Sequence, residues 1–367
     1  MNILIHGAVN GSNFGDCLYA QIYNEYIKSI RPNDGVFFWE HPMFGAGAHL
    51  KTLSNIETTK DLDKMDALVY MPGGYFGEGP TRYRRVKQHL RYFRLGHRMI
   101  ARKKAVLVSA IGGERVENKW LLNRLTYVLQ NASLITTRNE RTAEFFQPYT
   151  ATKIVPLFDA ILHVREMPMP ELPEQMRTDL AACKANGKKK IFFHVQSKDE
   201  KNGDIEAKIL PALNRYLAEN DAHVFVGTDY LSRNDLQDLR VYRALRGSKS
   251  VYNYRNPLEL CAMLDQCDLV VTTKLHAGVV SAALGKSVVS VALVPIKTRA
   301  FYEDIGCGER SIALDDADAD SVYRQIVKFA DHPIEIPHEL VEKAAQNLVL
   351  LKDALERVDS QKNPTKE

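Results

Sequence analysis

The sequence has no run of apolar residues near the roughly 18 that a membrane-spanning helix needs. Its five cysteines, Cys17, Cys183, Cys261, Cys267 and Cys307, show no C-x-x-C spacing. An odd count without paired spacing encodes neither a disulfide framework nor a zinc site, and it fits a reducing compartment. The start, MNILIHGAVNG, is a strand pattern running into Gly and Asn, with no basic n-region or small-residue cleavage site. A cytoplasmic protein is therefore expected. Charge of one sign is scarce as well: 49 Lys and Arg face 45 Asp and Glu, a formal net charge of +4. That balance argues against nucleic acid as a partner and suits an enzyme with a local anion site. The first glycines, Gly7, Gly11 and Gly15, are spaced G-x₃-G-x₃-G rather than G-x-G-x-x-G, so a nicotinamide dehydrogenase is set aside. No His/Asp/Glu cluster asks for a metal, and no internal repeat or low-complexity tract stands out.

What is present is a rhythm. The chain has 367 residues, 45% of them hydrophobic, which is more than one core usually holds and implies two domains. Short apolar runs alternate with longer helix-period segments, the pattern of parallel βα units. NILIHG, VFFWE, ALVYMPG, AVLVSAIG, SLITT and TKIVPL are six candidate strands in the first half, with helices over 16–30, 81–102 and 118–131. KIFFHVQ, HVFVGTD, SVYNY, DLVVTT and SVVSVAL repeat the rhythm in the second half, and a charged helix over about 337–358 closes the chain. Proline and charge break the pattern between about 163 and 188. The expected fold class is α/β, two similar domains facing across a cleft. The first spans 1–165, a linker 166–188, the second 189–335, and a helix and tail 336–367.

Open parallel sheets bind ligands outside the carboxyl ends of their strands, so the strand exits carry the information. In NGSNFGDCLYAQIY (10–23), Gly11 and Gly15 allow close backbone approach, Asn13 supplies an amide, and Asp16 either caps the helix or binds a hydroxyl. MPGGYFGEGP (71–80) is a glycine loop whose amides suit an anion; Gly73 and Gly74 lie in it, and Tyr75 and Phe76 could flank a sugar ring. Residues 81–104 hold ten lysines and arginines and no acidic residue. Such a helix is either a solvated face or a contact for anionic lipid head groups or a pyrophosphate-linked substrate. Arg138 stands at the exit of SLITT, where its planar fork matches a carboxylate or phosphate. In TTKLHAGVVSAALGKSVVSVAL (272–293), helix amides following Thr273 favour an anion, Lys274 adds a cation, and His276 adds a group that exchanges a proton near neutral pH.

Together these segments resemble the polysaccharide pyruvyl transferase family. The resemblance rests on N-x-G-D at Asn13 to Asp16, the glycine loop PGGYFGEG, the SAIGG exit at 109–113, ITTRNERTAEFF, and TTKLHAGVVSAALGKSVVSVAL followed by Lys297 in VPIKTRAFYEDIG. These pieces lie in family order over about residues 1 to 310. The chain departs from the family pattern at Lys274, where an arginine usually precedes the Leu275-His276 pair, and at Gly112-Gly113, where glycine-proline is usual. The resemblance implies two Rossmann-like domains in a GT-B-like arrangement, with the acceptor on the first and the donor on the second. It implies phosphoenolpyruvate as donor, no further cofactor, and a sugar, oligosaccharide or lipid-linked glycan of a surface polysaccharide as acceptor. Work at the inner face of the cytoplasmic membrane, touching anionic lipid through residues 81–104, would fit such an acceptor. The expected catalytic set is His276 as general acid, Arg138 and Lys274 as anion holders and Asp16 at an acceptor hydroxyl. Asn13, Gly15, Gly73, Gly74, Tyr75, His194, Leu275 and Lys297 are expected around the substrates, and no metal. A GT-B glycosyltransferase using a nucleotide sugar and a non-catalytic carbohydrate-binding protein are the competing readings.

Overall fold

A computed structural model describes residues 1–9, 11, 13–41, 50, 53–230 and 235–362. Asn10 and Ser12 of the 10–23 segment, and the tail beyond 362, lie outside the described residues. The chain divides into two compact units: residues 1–12, 16–163 and 338–367 form the first, and residues 13–15 and 164–337 the second.

The first unit is built on β1 (Asn2–His6), β2 (Gly35–Trp39), β3 (Glu57–Thr59), β4 (Ala67–Tyr70), β5 (Gly73–Phe76), β6 (Ala105–Gly113), β7 (Leu134–Thr137) and β8 (Val155–Pro156). Their order is β3-β2-β1-β4-β6-β7-β8, all pairs parallel, with β5 pairing onto β6. Of the six apolar runs read from the sequence, five are β1, β2, β4, β6 and β7 and the sixth, TKIVPL, holds the edge strand β8; all four residues of β4 and of β7 are buried, as expected for strands covered on both faces. The glycine loop is partly a strand: Gly73–Phe76 hydrogen-bonds to the end of β6. Ala110 in β6 has φ +50, and the register with β7 shifts between Val108 and Ile111. This bulge is fastened from the far end of the chain. The Ala110 N–H donates to Thr136 Oγ1 (2.7 Å), Thr136 donates to Asn347 Oδ1 (2.6 Å), and Asn347 Nδ2 donates to the Phe158 carbonyl (2.8 Å). Asn347 belongs to the closing helix His338–Lys362, which therefore packs on the first unit's sheet.

The second unit has β9 (Lys189–His194), β10 (Ala222–Gly227), β11 (Ser248–Tyr252), β12 (Leu269–Thr272), β13 (Ser287–Ala292) and β14 (Ser311–Ala313), all parallel in the order β11-β10-β9-β12-β13-β14. The stretch read as a linker contains the helix Glu174–Ala185. In both sheets the strand order reverses beside the first strand, between β1 and β4 and between β9 and β12. Ligands of doubly wound sheets bind at the carboxyl ends there. The segments so selected are 7–16, 71–74, 194–196 and 273–276.

Candidate functional site

In the second unit a polar chain closes the switch point. His194 ends β9 and is 1% exposed; its Nδ1 lies 3.1 Å from Thr273 Oγ1 and its Nε2 3.1 Å from Asp229 Oδ1. Gln196 Nε2 donates to the same Thr273 hydroxyl at 2.9 Å. Lys274 Nζ approaches the other Asp229 oxygen at 3.4 Å and sits 5.4 Å from the Tyr230 ring centroid. Burial alone would push the Asp229 carboxyl up, but the hydrogen bond from His194 and the positive charge of Lys274 outweigh it and hold Asp229 down at about 2. With Asp229 ionised, the donors fall into one order. Gln196 gives to Thr273, Thr273 to His194 Nδ1, and His194 Nε2–H to Asp229, which also faces the lysine. The buried groups are thus satisfied among themselves and the Lys274 ammonium is fixed at the rim.

The two threonines of TTKLH divide the work. Thr272 makes the turn, its Oγ1 accepting the Lys274 N–H at 3.0 Å, while Thr273 orients His194. Lys274 is the N-cap of the helix Leu275–Ala283, in extended geometry and without a side-chain cap. The first-turn amides and the Lys274 cation therefore favour an anion at this helix start. Leu275 and His276 follow, both partly exposed. Residues 13–15 group with this unit, and Asn13 makes an antiparallel bridge with Tyr230. A Cβ on Gly15 would lie 2.1 Å from His276 Nδ1. Only glycine lets the backbone approach the imidazole this closely.

The helix Phe14–Ile30 carries the chain into the first unit, which holds a second cluster. Asn13 Oδ1 accepts the Gly15 N–H at 3.0 Å, so capping of the helix Phe14–Ile30 falls to Asn13 rather than to Asp16 in its first turn. Burial raises the Asp16 carboxyl to about 7 against the pull of Arg138 and Arg91. Arg138 leaves β7 with its guanidinium 3.8 Å from Asp159 Oδ2, and Tyr19 donates to Asp159 Oδ1 at 2.6 Å. A Cβ on Gly112 would lie 2.4 Å from Arg138 Nε, so the SAIGG exit is the floor on which the guanidinium rests.

Arg91 is the member of this cluster that the sequence reading missed, as one cation among ten. The basic stretch forms the helix Arg82–Gln88, a π-helical turn His89–Phe93 and the helix Arg94–Ala101. Within that turn the Leu90 and Arg91 carbonyls accept His41 Nε2 (3.1 Å) and His6 Nε2 (3.0 Å). Burial lowers the His6 imidazole to about 3, so it is neutral when it donates. A π turn has no reliable sequence signature, although it often marks functional sites. Asp229 was also missed; its only signal is a carboxylate just past a strand end.

The remaining candidates lie elsewhere. Tyr75 is buried, stacked on Tyr92 at 4.6 Å, and donates to the Met71 carbonyl at 2.6 Å. Its ring faces are taken up in the core, so the sugar-flanking contact expected of it has no surface to use. His194 is likewise enclosed, with its two ring nitrogens on Thr273 and Asp229. Gly73 is buried and Gly74 exposed in β5, and Lys297 is exposed in the helix Pro295–Asp304. Among the described residues no group of three or more His, Cys, Asp or Glu is placed to hold a metal ion.

A family model described as polysaccharide pyruvyl transferase matches residues 13–293. No curated protein matches the chain in sequence. Among solved structures, a Listeria monocytogenes protein assigned as a UDP-N-acetylglucosamine 2-epimerase aligns over 97% of this chain and 96% of its own, with TM-score 0.63 and 10% identity. A Neisseria meningitidis UDP-GlcNAc 2-epimerase bound to UDP-GlcNAc aligns over 97% and 100%, with TM-score 0.58 and 10% identity. Acinetobacter baumannii MurG aligns over 97% and 99%, with TM-score 0.53 and 13% identity. At such identities the likeness is one of fold: α/β with two Rossmann-like domains, of the GT-B-like class that the sequence led one to expect.

Proposed function

Since the chain belongs to the polysaccharide pyruvyl transferase family, we propose that it moves the pyruvyl group of phosphoenolpyruvate onto two hydroxyls of one sugar, closing a cyclic ketal and releasing inorganic phosphate. The acceptor would be a sugar of a surface polysaccharide or its lipid-linked precursor. The observation that carries this reading is the Lys274–His276 exit: a cation held by Asp229 at 3.4 Å beside an uncapped helix start, with an imidazole in the first turn.

Phosphoenolpyruvate presents a phosphate and a carboxylate, and each charge-assisted hydrogen bond to them contributes about 1.5–3 kcal/mol. Lys274 and the first helical amides would take one of these groups. His276 would deliver a proton to the methylene carbon, making the central carbon electrophilic. One sugar hydroxyl then bonds to that carbon, phosphate departs with its bridging oxygen, and the second hydroxyl closes the ring. Of the two hydroxyl protons lost, one replaces the proton spent on the methyl group and the other leaves with phosphate. An imidazole suits this role because general acids work best near the operating pH. Asp16, with its carboxyl near 7, is the candidate base for an acceptor hydroxyl, and Arg138 and Arg91 supply anion-binding charge around it.

The experiment is phosphate release, measured with phosphoenolpyruvate and a glycan acceptor together and each alone. Release that needs both supports the transfer. His276→Ala is expected to lower kcat by about 10²–10⁴-fold while keeping stabilisation by phosphoenolpyruvate; near wild-type turnover in the folded variant would remove His276 from the proton step. The fold likeness to nucleotide-sugar enzymes favours a glycosyltransferase as the second reading. Thermal stabilisation by UDP-sugars and not by phosphoenolpyruvate would select it.

A further inference from the structure

The helix Arg82–Gln88 buries none of its side chains, so packing does not hold it, and a helix this short has little stability of its own. Polar fastenings do the holding. Gln88 Nε2 donates to the carbonyls of Tyr75 (2.8 Å) and Gly77 (2.7 Å), and its Oε1 accepts the Gly79 N–H (3.0 Å). Glu78 takes Arg85 at 2.6 Å and, through its other oxygen, the backbone N–H groups of Glu117 (2.7 Å) and Asn118 (2.8 Å). Asn118 caps the neighbouring helix Lys119–Gln130, so one carboxylate sets both helices side by side.

Their outer surface is aromatic. Tyr83 is 74% exposed, Val86 39%, Trp120 40% and Tyr127 40%. Single exposed apolar residues are ordinary, but these form a continuous strip. Tyr83 and Val86 are one turn apart; His89, one turn further, lies 5.2 Å from Trp120. His97 lies 5.5 Å from His89 and 4.8 Å from Tyr127. Around the strip stand Arg82, Arg84, Arg94, Lys119 and Arg124, which make no ion pair among the described residues. A soluble anion would have no use for the aromatic strip, and an apolar partner none for the cations; an anionic bilayer surface uses both.

We propose that this two-helix face docks the protein on an anionic lipid bilayer, with Tyr83, Trp120 and Tyr127 entering the head-group boundary and the arginines facing lipid phosphates. Among the described residues no helix is long and apolar enough to cross a membrane, and docking of this kind needs none. The surface goes beyond the basic helix visible in the sequence, because two of its three exposed aromatic residues, Trp120 and Tyr127, come from the second helix.

The test is co-sedimentation of the full-length chain with phosphatidylcholine vesicles and with vesicles containing phosphatidylglycerol. Pelleting is expected only with the anionic vesicles, falling as salt rises. Neutralising Arg82, Arg84 and Arg124 to Gln should weaken it by about fivefold per cation, on the order of a hundredfold in all. Tyr83→Ser with Trp120→Ser should weaken it even at low salt. Equal pelleting with both vesicle types, no pelleting, or pelleting indifferent to these variants would overturn the proposal. So would displacement by inorganic phosphate at constant ionic strength, which would mark a soluble-anion site, or a dimer abolished by the same variants, which would mark a self-interface. Phosphate release with a water-soluble acceptor should be unchanged in all of them, so failure here is distinguishable from failure of the proposed reaction.

Discussion

A carboxylate as enclosed as Asp229 stays ionised because His194 and Lys274 face it. Its depressed folded value means that the stability it contributes is present above its unfolded value, about 3.9, and is lost as pH falls toward about 2. The Asp229→Asn variant should therefore unfold more easily than wild type near pH 6, with the gap narrowing by about pH 3, as urea titrations would read. It should also weaken phosphoenolpyruvate binding roughly ten- to a hundredfold, because Lys274 loses its tether. Asp16 runs the other way. Its folded value is raised, so the protonated form is favoured on folding and ionisation costs stability progressively from about pH 4 to about pH 7. Asp16→Asn should raise the Tm at about pH 8 and leave it nearly unchanged at about pH 4; a gain of equal size at both values would assign Asp16 no buried charge. At this scale the places of Lys274, His276 and Arg138 at strand exits were legible in the sequence. Asp229 and Arg91 were not, since their meaning lies in partners far along the chain.

The elements that carry these residues were legible in proportion to their burial. The central strands are continuous apolar runs and stand where the sequence puts them. Glu57–Thr59 and Ser311–Ala313 escaped notice because they are three-residue edge strands without a buried residue, which leaves no period-2 signal to read. Gly73–Phe76 escaped because its glycines read as a loop. The β6 exit offers a test at this scale. The atoms nearest a Cβ on Gly112 belong to the end of the flexible Arg138 side chain, so Gly112→Ala should shift the guanidinium while sparing the fold. The expected result is a large loss of pyruvyl transfer with a small change in Tm. In a double-mutant cycle, Gly112→Ala should add little to Arg138→Ala; full additivity would separate the glycine from the arginine.

Across the whole molecule, the chain passes from the first unit to the second at 163/164, and residues 338–367 return to the first. The destination of the last helix was not legible in the sequence, because its amphipathic pattern says that it packs and not on what. Asn347 answers that by fastening the Ala110 bulge through Thr136. Removing residues 338–367 should leave buried groups at Thr136 and Phe158 unsatisfied, at about 1–3 kcal/mol each. It should also strip an apolar face from the first sheet. Calorimetry of that truncation should show a transition lowered or lost for the first unit, with that of the second unit kept; one joint shift would mean that the units unfold as one.

The return of that helix also sets an order of events on the ribosome. The second unit is continuous from 164 to 337 apart from three residues supplied early, so its sheet can assemble as soon as its own stretch has emerged. The first unit, though translated earlier, has its β6 bulge unfastened until Asn347 has been made. A released chain ending at residue 337 would then display an immature first unit attached to a finished second one.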